Sequence, residues 1–494
     1  MGNGKGIDIS DMFVDISHQH LRYRRTKIIA TIGPSTSSEE MITKLIKNGL
    51  NVARINFSHG DPEDHLKVIS MIRNMSSKLG MPVAILGDLC GPKVRVGRFI
   101  NDSIKLNDNS KVFITAENIE GHDNIIPSMY HGIINESKSG DRILLDDGNL
   151  ELKVLGKNEG AIEATVVRGG ILKNNKGMNL PDTKMNISAL TEKDMNDVRY
   201  CILGDVDYIA LSFVRHSEDV KELKEYLHEM NSSIPVIAKI EKPEALNNIE
   251  KIIEISDGIM IARGDLGVEI SPEKVPLIQI KLIQLVNSHN KPVIVATQML
   301  ESMIEHSRPT RAEATDVSAA CLDGADAVML SAETAVGKYP VEAVMAMDSI
   351  LRETETYRYF SNNGGFKLNE NLNKKIIQKV VSDATTLISQ NLKVNSIMLY
   401  TKSGYTAEII ASDRPSAPII ALTESIRVMN RLSLIWGVYP FLMGKIENER
   451  EFLERGEEII KEQGIAKVGE YIIILSHHDD NNHFCNNILI RQIT

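Results

Sequence analysis

Four cysteines in 494 residues is a sparse supply, and Cys90, Cys201, Cys321 and Cys485 stand far apart. No CxxC pair exists, which argues against structural zinc and a disulfide framework and fits a reducing cytoplasm. No apolar run approaches the roughly 18–20 residues of a membrane helix. The N-terminus lacks the basic-then-apolar layout of a secretory signal. Its Met1-Gly2-Asn3-Gly4-Lys5-Gly6 puts glycine where a myristoylation motif needs Ser or Thr. Positive charge is short as well: 56 Lys and Arg face 66 Asp and Glu, a net charge of −10, which argues against non-specific nucleic-acid binding. A Walker A loop and the HRD…DFG set of protein kinases are also missing. Any nucleotide chemistry therefore takes another route.

What is present is a series of short apolar runs ending in polar residues. The runs are Thr26–Gly33, Asn51–Ser58, Val83–Asp88, Asp207–Phe213, Ile234–Glu241, Asp257–Asp265, Lys291–Gln298 and Ala325–Glu333. Helix-period stretches lie between most of them, among them Ser38–Lys47, Asp219–His228 and Glu273–Ser288. Continuous apolar strands alternating with helices imply parallel crossover units. Eight such units predict an α/β chain built on a (β/α)8 TIM barrel, with chemistry at the C-terminal strand ends.

The series is interrupted over roughly Pro92–Asn186. Short β-type pieces appear there (Lys111–Thr115, Arg142–Leu145, Leu150–Leu155, Ala161–Val167), and Asp146-Asp147-Gly148-Asn149 reads as a hairpin. An inserted all-β domain on two connections can act as a lid. Beyond Glu355 and a loop at Ser361-Asn362-Asn363-Gly364-Gly365, strand-like Ser396–Thr401, Pro418–Thr423, Val438–Leu442 and Tyr471–Ser476 predict a C-terminal α/β domain. The expected division is an N-terminal extension at 1–21, a barrel at 22–91 and 187–358, a lid at 92–186 and a C-terminal domain at 370–494.

Candidate chemistry follows from strand periodicity. Arg54, Asn56 and Ser58 share one face of a strand, which suits phosphate plus a cation or simply a satisfied polar strand end. Lys239 and Glu241 have the same spacing, and a structural ion pair competes with a functional reading. Asp265 ends the next strand, and two carboxylates on adjacent strand ends make a hard-cation site suited to Mg²⁺. Gly264 allows backbone N–H groups close to an anion. Thr297 and Ser331 end the last two strands. Thr310 and Glu313 fit a helix cap better than catalysis. Both lid connections carry Gly, Pro and a basic residue, with Arg95 in one and Lys176 in the other.

Taken together, IGP at 32–34, NVARINFSHG at 51–60, GPKVRVG at 91–97, NNKGMNLP at 174–181, AKIE at 238–241, DGIMIARGDLGVE at 257–269, ATQMLESM at 296–303, PTRAE at 309–313 and DGADAVMLSAETAVGKYP at 323–340 closely resemble the pyruvate kinase family. The resemblance runs in register from about Arg22 to Arg358 and continues more weakly to the C-terminus. It implies transfer of phosphate from phosphoenolpyruvate to ADP, the last step of glycolysis, by a cytoplasmic homotetramer. It implies Mg²⁺ or Mn²⁺ on Glu241 and Asp265, and Lys239 and Arg54 on the transferring phosphate. Gly264, Asp265 and Thr297 would take the substrate carboxylate, and Thr297 and Ser331 would relay a proton. Pro34, Asn56, His59, Arg95, Lys176 and Asp146 would line the nucleotide side.

The family holds a monovalent cation near the positions of Asn56, Ser58, Asp88 and Leu89. Many members have Glu in place of Lys93 and Thr in place of Leu89, so the lysine here implies activity without added K⁺. The loop Thr401-Lys402-Ser403-Gly404-Tyr405-Thr406 matches the family's phosphorylated-effector loop, and an ordinary strand-to-helix turn competes. The second effector loop reads His477-His478-Asp479-Asp480-Asn481-Asn482-His483 instead of a Gly-rich Thr-Asn-Thr run. That favours a sugar or nucleotide monophosphate over fructose 1,6-bisphosphate. A solvated polar loop explains its His and Asp better than a transition-metal site. Two rivals stand beside this reading: a phosphoenolpyruvate- or pyruvate-using carbon–carbon lyase, and a sugar-phosphate sensor with an inactive barrel. The lid's Arg95 and Lys176, with Lys239 two residues before Glu241, oppose the first. The intact Lys239, Glu241, Asp265 and Thr297 oppose the second.

Overall fold

Each of the eight apolar runs becomes one strand of a closed parallel barrel. The strands are Lys27–Ile32, Val52–Asn56, Ala84–Asp88, Tyr208–Leu211, Val236–Ile240, Gly258–Ala262, Val293–Ala296 and Ala327–Leu330, and the first pairs with the eighth. This is a computed structural model that describes residues 23–158, 160–360, 377–476 and 487–494. The expected N-terminal extension, the loop at 361–365 and the His/Asp-rich loop at 477–486 lie outside the described residues.

Why the runs are unbroken is plain from burial. One strand face (Ile28, Ala30, Ile55, Ile85, Ile209) packs against the surrounding helices. The other (Ile29, Val52, Leu86, Ala210, Ile237, Met260, Ile294, Met329) fills the barrel interior. Both faces are dry, so neither admits polar residues. The inward face turns polar at the C-terminal ends, where Thr31, Arg54, Asp88, Ser212, Lys239 and Glu241 follow the apolar positions at intervals of two, and at Lys27 on the opposite end of the first strand.

The surrounding helices begin where the sequence supplies caps. Ser38 accepts from Met41 N–H at the start of Glu39–Lys47, and Asp61 accepts from Glu63 N–H at the start of Pro62–Leu79. Thr310 and Glu313 form a reciprocal capping box on Arg311–Asp323, which agrees with the capping reading of both.

Between the third and fourth barrel strands lies the inserted β-domain, expected from the sequence to act as a lid. It is a six-stranded sheet with a separate two-stranded one, around its own core of Val112, Ile114, Ile143, Leu145, Leu152, Val154 and Ile162. The hairpin forms as read, with Leu145 opposite Leu150 and with Asp146, Asp147 and Gly148 all at positive φ. In the C-terminal domain, Ser396–Tyr400, Ile419–Thr423, Val438–Leu442 and Tyr471–Ser476 form the expected parallel strands. A fifth strand, Asn487–Gln492, adds antiparallel to Tyr471–Ser476. It had no clear sequence signal, because as an edge strand it is half-exposed along most of its length and lacks a buried alternating face.

This domain closes the N-terminal end of the barrel. Leu434 joins the barrel-interior cluster. Lys27 Nζ donates to Val438 O at 2.6 Å, and Arg414 pairs with Asp326 at 2.9 Å.

Candidate active site

At the opposite end the inward polar residues meet. Lys239 Nζ lies 2.9 Å from Glu241 Oε1 and 3.2 Å from Asp88 Oδ1, and donates to Ser212 Oγ at 2.7 Å. Arg54 Nε donates to Asp88 Oδ2 at 2.6 Å, and Arg54 Nη1 donates to Thr31 Oγ1 at 2.9 Å. Five of the eight strands thus contribute to one layer. Asp88 and Glu241 are each 1 % exposed on their side chains, so these charges must compensate one another.

They do so incompletely. Burial pushes the Asp88 carboxyl up, but Lys239 and Arg54 outweigh it and hold Asp88 ionised. Burial works against the Lys239 ammonium, yet Asp88 and Glu241 keep it charged, above the ordinary lysine range. Glu241 goes the other way: burial and the neighbouring Asp265 push its carboxyl up, and Lys239 does not fully offset them. The difference has a physical origin, since one ammonium is shared by Asp88 and Glu241 while Asp265 adds charge to one of them. Two cations (Arg54, Lys239) against three anions (Asp88, Glu241, Asp265) leave the cluster at −1. Asp88 Oδ1 is buried and meets the Lys239 ammonium at 3.2 Å. A hard cation on Glu241 and Asp265 fits this surplus and this donor set, and Mg²⁺ typically takes one or two carboxylates plus substrate oxygens.

The neighbouring strand ends supply close backbone and hydroxyls. Thr297 Oγ1 accepts from Gly264 N–H at 2.7 Å and donates to Ala296 O at 2.6 Å. A Cβ on Gly264 would stand 3.2 Å from Thr297 Oγ1, so glycine allows this approach. Thr297 and Gln298 both have positive φ, 67° and 54°. That is costly for a β-branched residue and is retained where surroundings over-determine it. Arg263 does so here, its Nη2 donating to both Thr297 O (2.9 Å) and Gln298 O (3.0 Å). Ser331 ends the adjacent eighth strand, its N–H held by buried Glu333 at 2.7 Å.

The nucleotide-side candidates are more dispersed. Pro34 and His59 are exposed on loops after the first and second strands, and Asn56 accepts from Ser58 N–H at 3.2 Å. Arg95 donates to Asn175 O at 3.1 Å, within the lid connections. Lys176 and Asp146 pair with each other at 2.7 Å on the lid. Leu89 is buried, and its carbonyl accepts from Ser212 Oγ. Lys93 is exposed beside Gly177, and among the described residues no ion pair joins it to Asp88. In the C-terminal domain, Thr401 Oγ1 accepts from Gly404 N–H at 2.9 Å at the start of helix Tyr405–Ser412; Lys402 and Ser403 are exposed and Thr406 half-buried.

Sequence reasoning missed Thr31, Ser212 and Arg263. The first two carried a signal, since each lies two residues beyond an inward apolar position. Arg263 carried none beyond its place in the motif.

With this geometry in view, the chain can be set beside known proteins. The family profile "Pyruvate kinase, barrel domain" matches residues 23–344, and "Pyruvate kinase, alpha/beta domain" matches 379–490. The chain belongs to the pyruvate kinase family. A pyruvate kinase of Sporosarcina psychrophila is 43 % identical over 458 residues, covering 91 % of this chain and 77 % of that one. One from Thermotoga maritima is 41 % identical over 453 residues, covering 92 % and 96 %. A crystal structure of a pyruvate kinase from Cryptosporidium parvum superposes with a TM-score of 0.90 at 33 % identity, covering 99 % of this chain and 100 % of that one. The barrel, its inserted β-domain and the C-terminal α/β domain are those of the pyruvate kinase fold, and the chain is a phosphotransferase of that family. Pyruvate kinases are generally Mg²⁺-dependent, which agrees with the surplus negative charge at Glu241 and Asp265. Among the described residues no helix is long and apolar enough to cross a membrane.

Proposed function

We propose that the polar layer around Lys239 carries phosphoryl transfer from phosphoenolpyruvate to ADP, giving pyruvate and ATP in the last step of glycolysis. The observation that carries this is a buried ammonium held between two carboxylates, beside a third carboxylate and an arginine. Phosphoryl transfer needs alignment and charge neutralisation more than covalent help. Lys239 and Arg54 direct positive charge at the equatorial oxygens from fixed positions in a low-dielectric layer. Glu241 and Asp265 would hold Mg²⁺ (or Mn²⁺), which when bound neutralises the developing phosphate charge. Backbone at Gly264 and Asp265, with the Thr297 hydroxyl, takes the carboxylate. Thr297 and Ser331 deliver the proton that turns enolpyruvate into pyruvate. Pro34, Asn56, His59, Arg95, Lys176 and Asp146 form the nucleotide side, the last three brought by the lid.

The proposal extends to the whole chain: barrel at 22–91 and 187–358, lid at 92–186, C-terminal domain at 370–494, a cytoplasmic homotetramer. Thr401, Lys402, Ser403, Gly404 and Thr406 take a phosphorylated effector, a sugar or nucleotide monophosphate. Steady-state assays with ribose 5-phosphate, AMP and fructose 1,6-bisphosphate decide it, and activation by the bisphosphate alone contradicts it. Lys93 with Leu89 supports catalysis without K⁺ at Asn56, Ser58, Asp88 and Leu89. Rates are expected to stay flat as K⁺ is titrated into tetramethylammonium buffer, and a large saturable increase refutes this. The main test is a coupled assay with Mg²⁺ and both substrates. ADP-dependent pyruvate formation is expected, and its absence gives the site to a carbon–carbon lyase.

A further inference from the structure

One buried carboxylate beside the site has no part in the chemistry above, yet it touches both the barrel and the lid. Glu269 is 2 % exposed. Its Oε1 accepts from Asn179 Nδ2 of the lid at 2.7 Å and from Lys242 Nζ of the barrel at 2.5 Å, while its buried Oε2 accepts no hydrogen bond. Lys242 is 4 % exposed.

The placement of this pair is informative. Lys242 directly follows Glu241. Glu269 lies four residues after Asp265 in helix Arg263–Glu269, hence on the same face one turn along. The two segments that offer Glu241 and Asp265 are therefore tied together a second time by Lys242 and Glu269. A buried ion pair resists separation because each charge would be left desolvated and unpaired. The lid's hold on Glu269 is a single amide hydrogen bond, weaker than the ion pair. Asn179 sits in the strand Met178–Asn179, opposite Leu144 of the hairpin strand. At the hairpin tip, a Cβ on Gly148 would come within 3.4 Å of Val268 Cγ1, so the lid rests on the same helix.

We propose that Lys242 and Glu269 are positioning residues that set the separation of the Glu241 and Asp265 carboxylates, and that Asn179 seats the lid on that same Glu269. One buried carboxylate then links assembly of the metal site to lid closure. The inference rests on the assignment of Glu241 and Asp265 as metal ligands.

Mn²⁺ binding to the substrate-free enzyme, read from the electron paramagnetic resonance of free Mn²⁺, tests it without turnover. Glu241→Gln is the reference and is expected to lose most binding. Lys242→Met and Glu269→Gln are each expected to raise the Mn²⁺ dissociation constant about tenfold, the usual scale for groups that orient metal ligands. Asn179→Ala is expected to leave Mn²⁺ affinity within about twofold and to raise KM for ADP about tenfold, the loss of one hydrogen bond to a charged group. Where Glu269→Gln does not fold, the double variant Lys242→Met/Glu269→Leu replaces it with the same expected loss of affinity, since it leaves no unpaired charge. Unchanged Mn²⁺ affinity in the Lys242 and Glu269 variants, with binding lost in Glu241→Gln, overturns the inference and spares the metal assignment. Unchanged affinity in Glu241→Gln overturns the assignment itself. An unchanged KM for ADP in Asn179→Ala overturns the lid link.

Discussion

The two ends of the barrel bury charge in opposite ways. At the C-terminal end, Arg54, Asp88, Lys239 and Glu241 face one another, Asp265 adds its negative charge to Glu241, and the charges do not cancel. At the N-terminal end, buried charges are absorbed by docking of another domain. Arg414 pairs with Asp326 and also donates to Gly324 O at 2.8 Å, while Lys27 donates to Val438 O over the Tyr439 ring. The same eight strands thus carry an acidic cluster with surplus charge at one end and, at the other, charged groups met by side chains and carbonyls of another domain. Surplus charge and strained backbone at Thr297 belong with chemistry, and the Arg414–Asp326 pair between domains belongs with stability.

That contrast can be broken at either end. Glu241→Gln removes a buried carboxylate from the proposed metal site, and kcat/KM is expected to fall by on the order of 10³-fold or more, with Mg²⁺ dependence shifted to higher concentration. Steady-state kinetics across a Mg²⁺ series measures it, and a fall under tenfold would mean the carboxylate is structural. Arg263→Met releases the Thr297 and Gln298 carbonyls from the guanidinium that holds them. A loss of about 10²-fold in kcat is expected from misplacement of Thr297, with Mn²⁺ affinity retained. At the other end, Arg414→Ala leaves Asp326 buried without its partner and is expected to cost about 3 kcal/mol by denaturant unfolding. Its kcat is expected to stay within about twofold, because the site stands at the far end of the strands. A collapse of kcat with unchanged stability would erase the distinction.

The smallest effect concerns Lys27, which burial lowers from the ordinary 10.5 to about 7, with Arg24 adding to the shift and Glu355 opposing it. Above pH 7 the folded chain has released this proton while the unfolded chain keeps it to about pH 10.5. The unfolded state then binds more protons, so this group makes stability rise with pH across that window. Lys27→Met is expected to remove up to about 1.4 kcal/mol per pH unit from that slope. Unfolding curves at pH 7, 8 and 9 measure the difference, and identical slopes in the two proteins contradict it.

How legible each end was in the sequence follows from the same physics. The barrel strands were readable because both faces are apolar. The upper polar layer was readable in part, since Arg54, Lys239 and Glu241 obey the strand period. What the period cannot supply is register between strands, which sets the meeting of Asp88 with both Lys239 and Arg54 and the part played by Ser212 and Thr31. Lys27 was hidden inside an apolar run, with no signal that its amine ends on a carbonyl of another domain. Glu269 and Lys242 resembled ordinary charged residues at helix ends, because their pairing depends on how two crossover units pack. Lys93 was picked out through the family resemblance, and its exposure beside Gly177 belongs to the hinge's path, which residue type does not encode.

Lys239 lies at the centre of the upper cluster, so its replacement tests the account most directly. Pyruvate formation from phosphoenolpyruvate and ADP with Mg²⁺ is measured for the wild type and for Lys239→Met, with folding checked by thermal unfolding. Robust ADP-dependent turnover is expected in the wild type, with a loss on the order of 10³-fold or more in a folded variant. A folded Lys239→Met that keeps turnover within about tenfold of the wild type would contradict it.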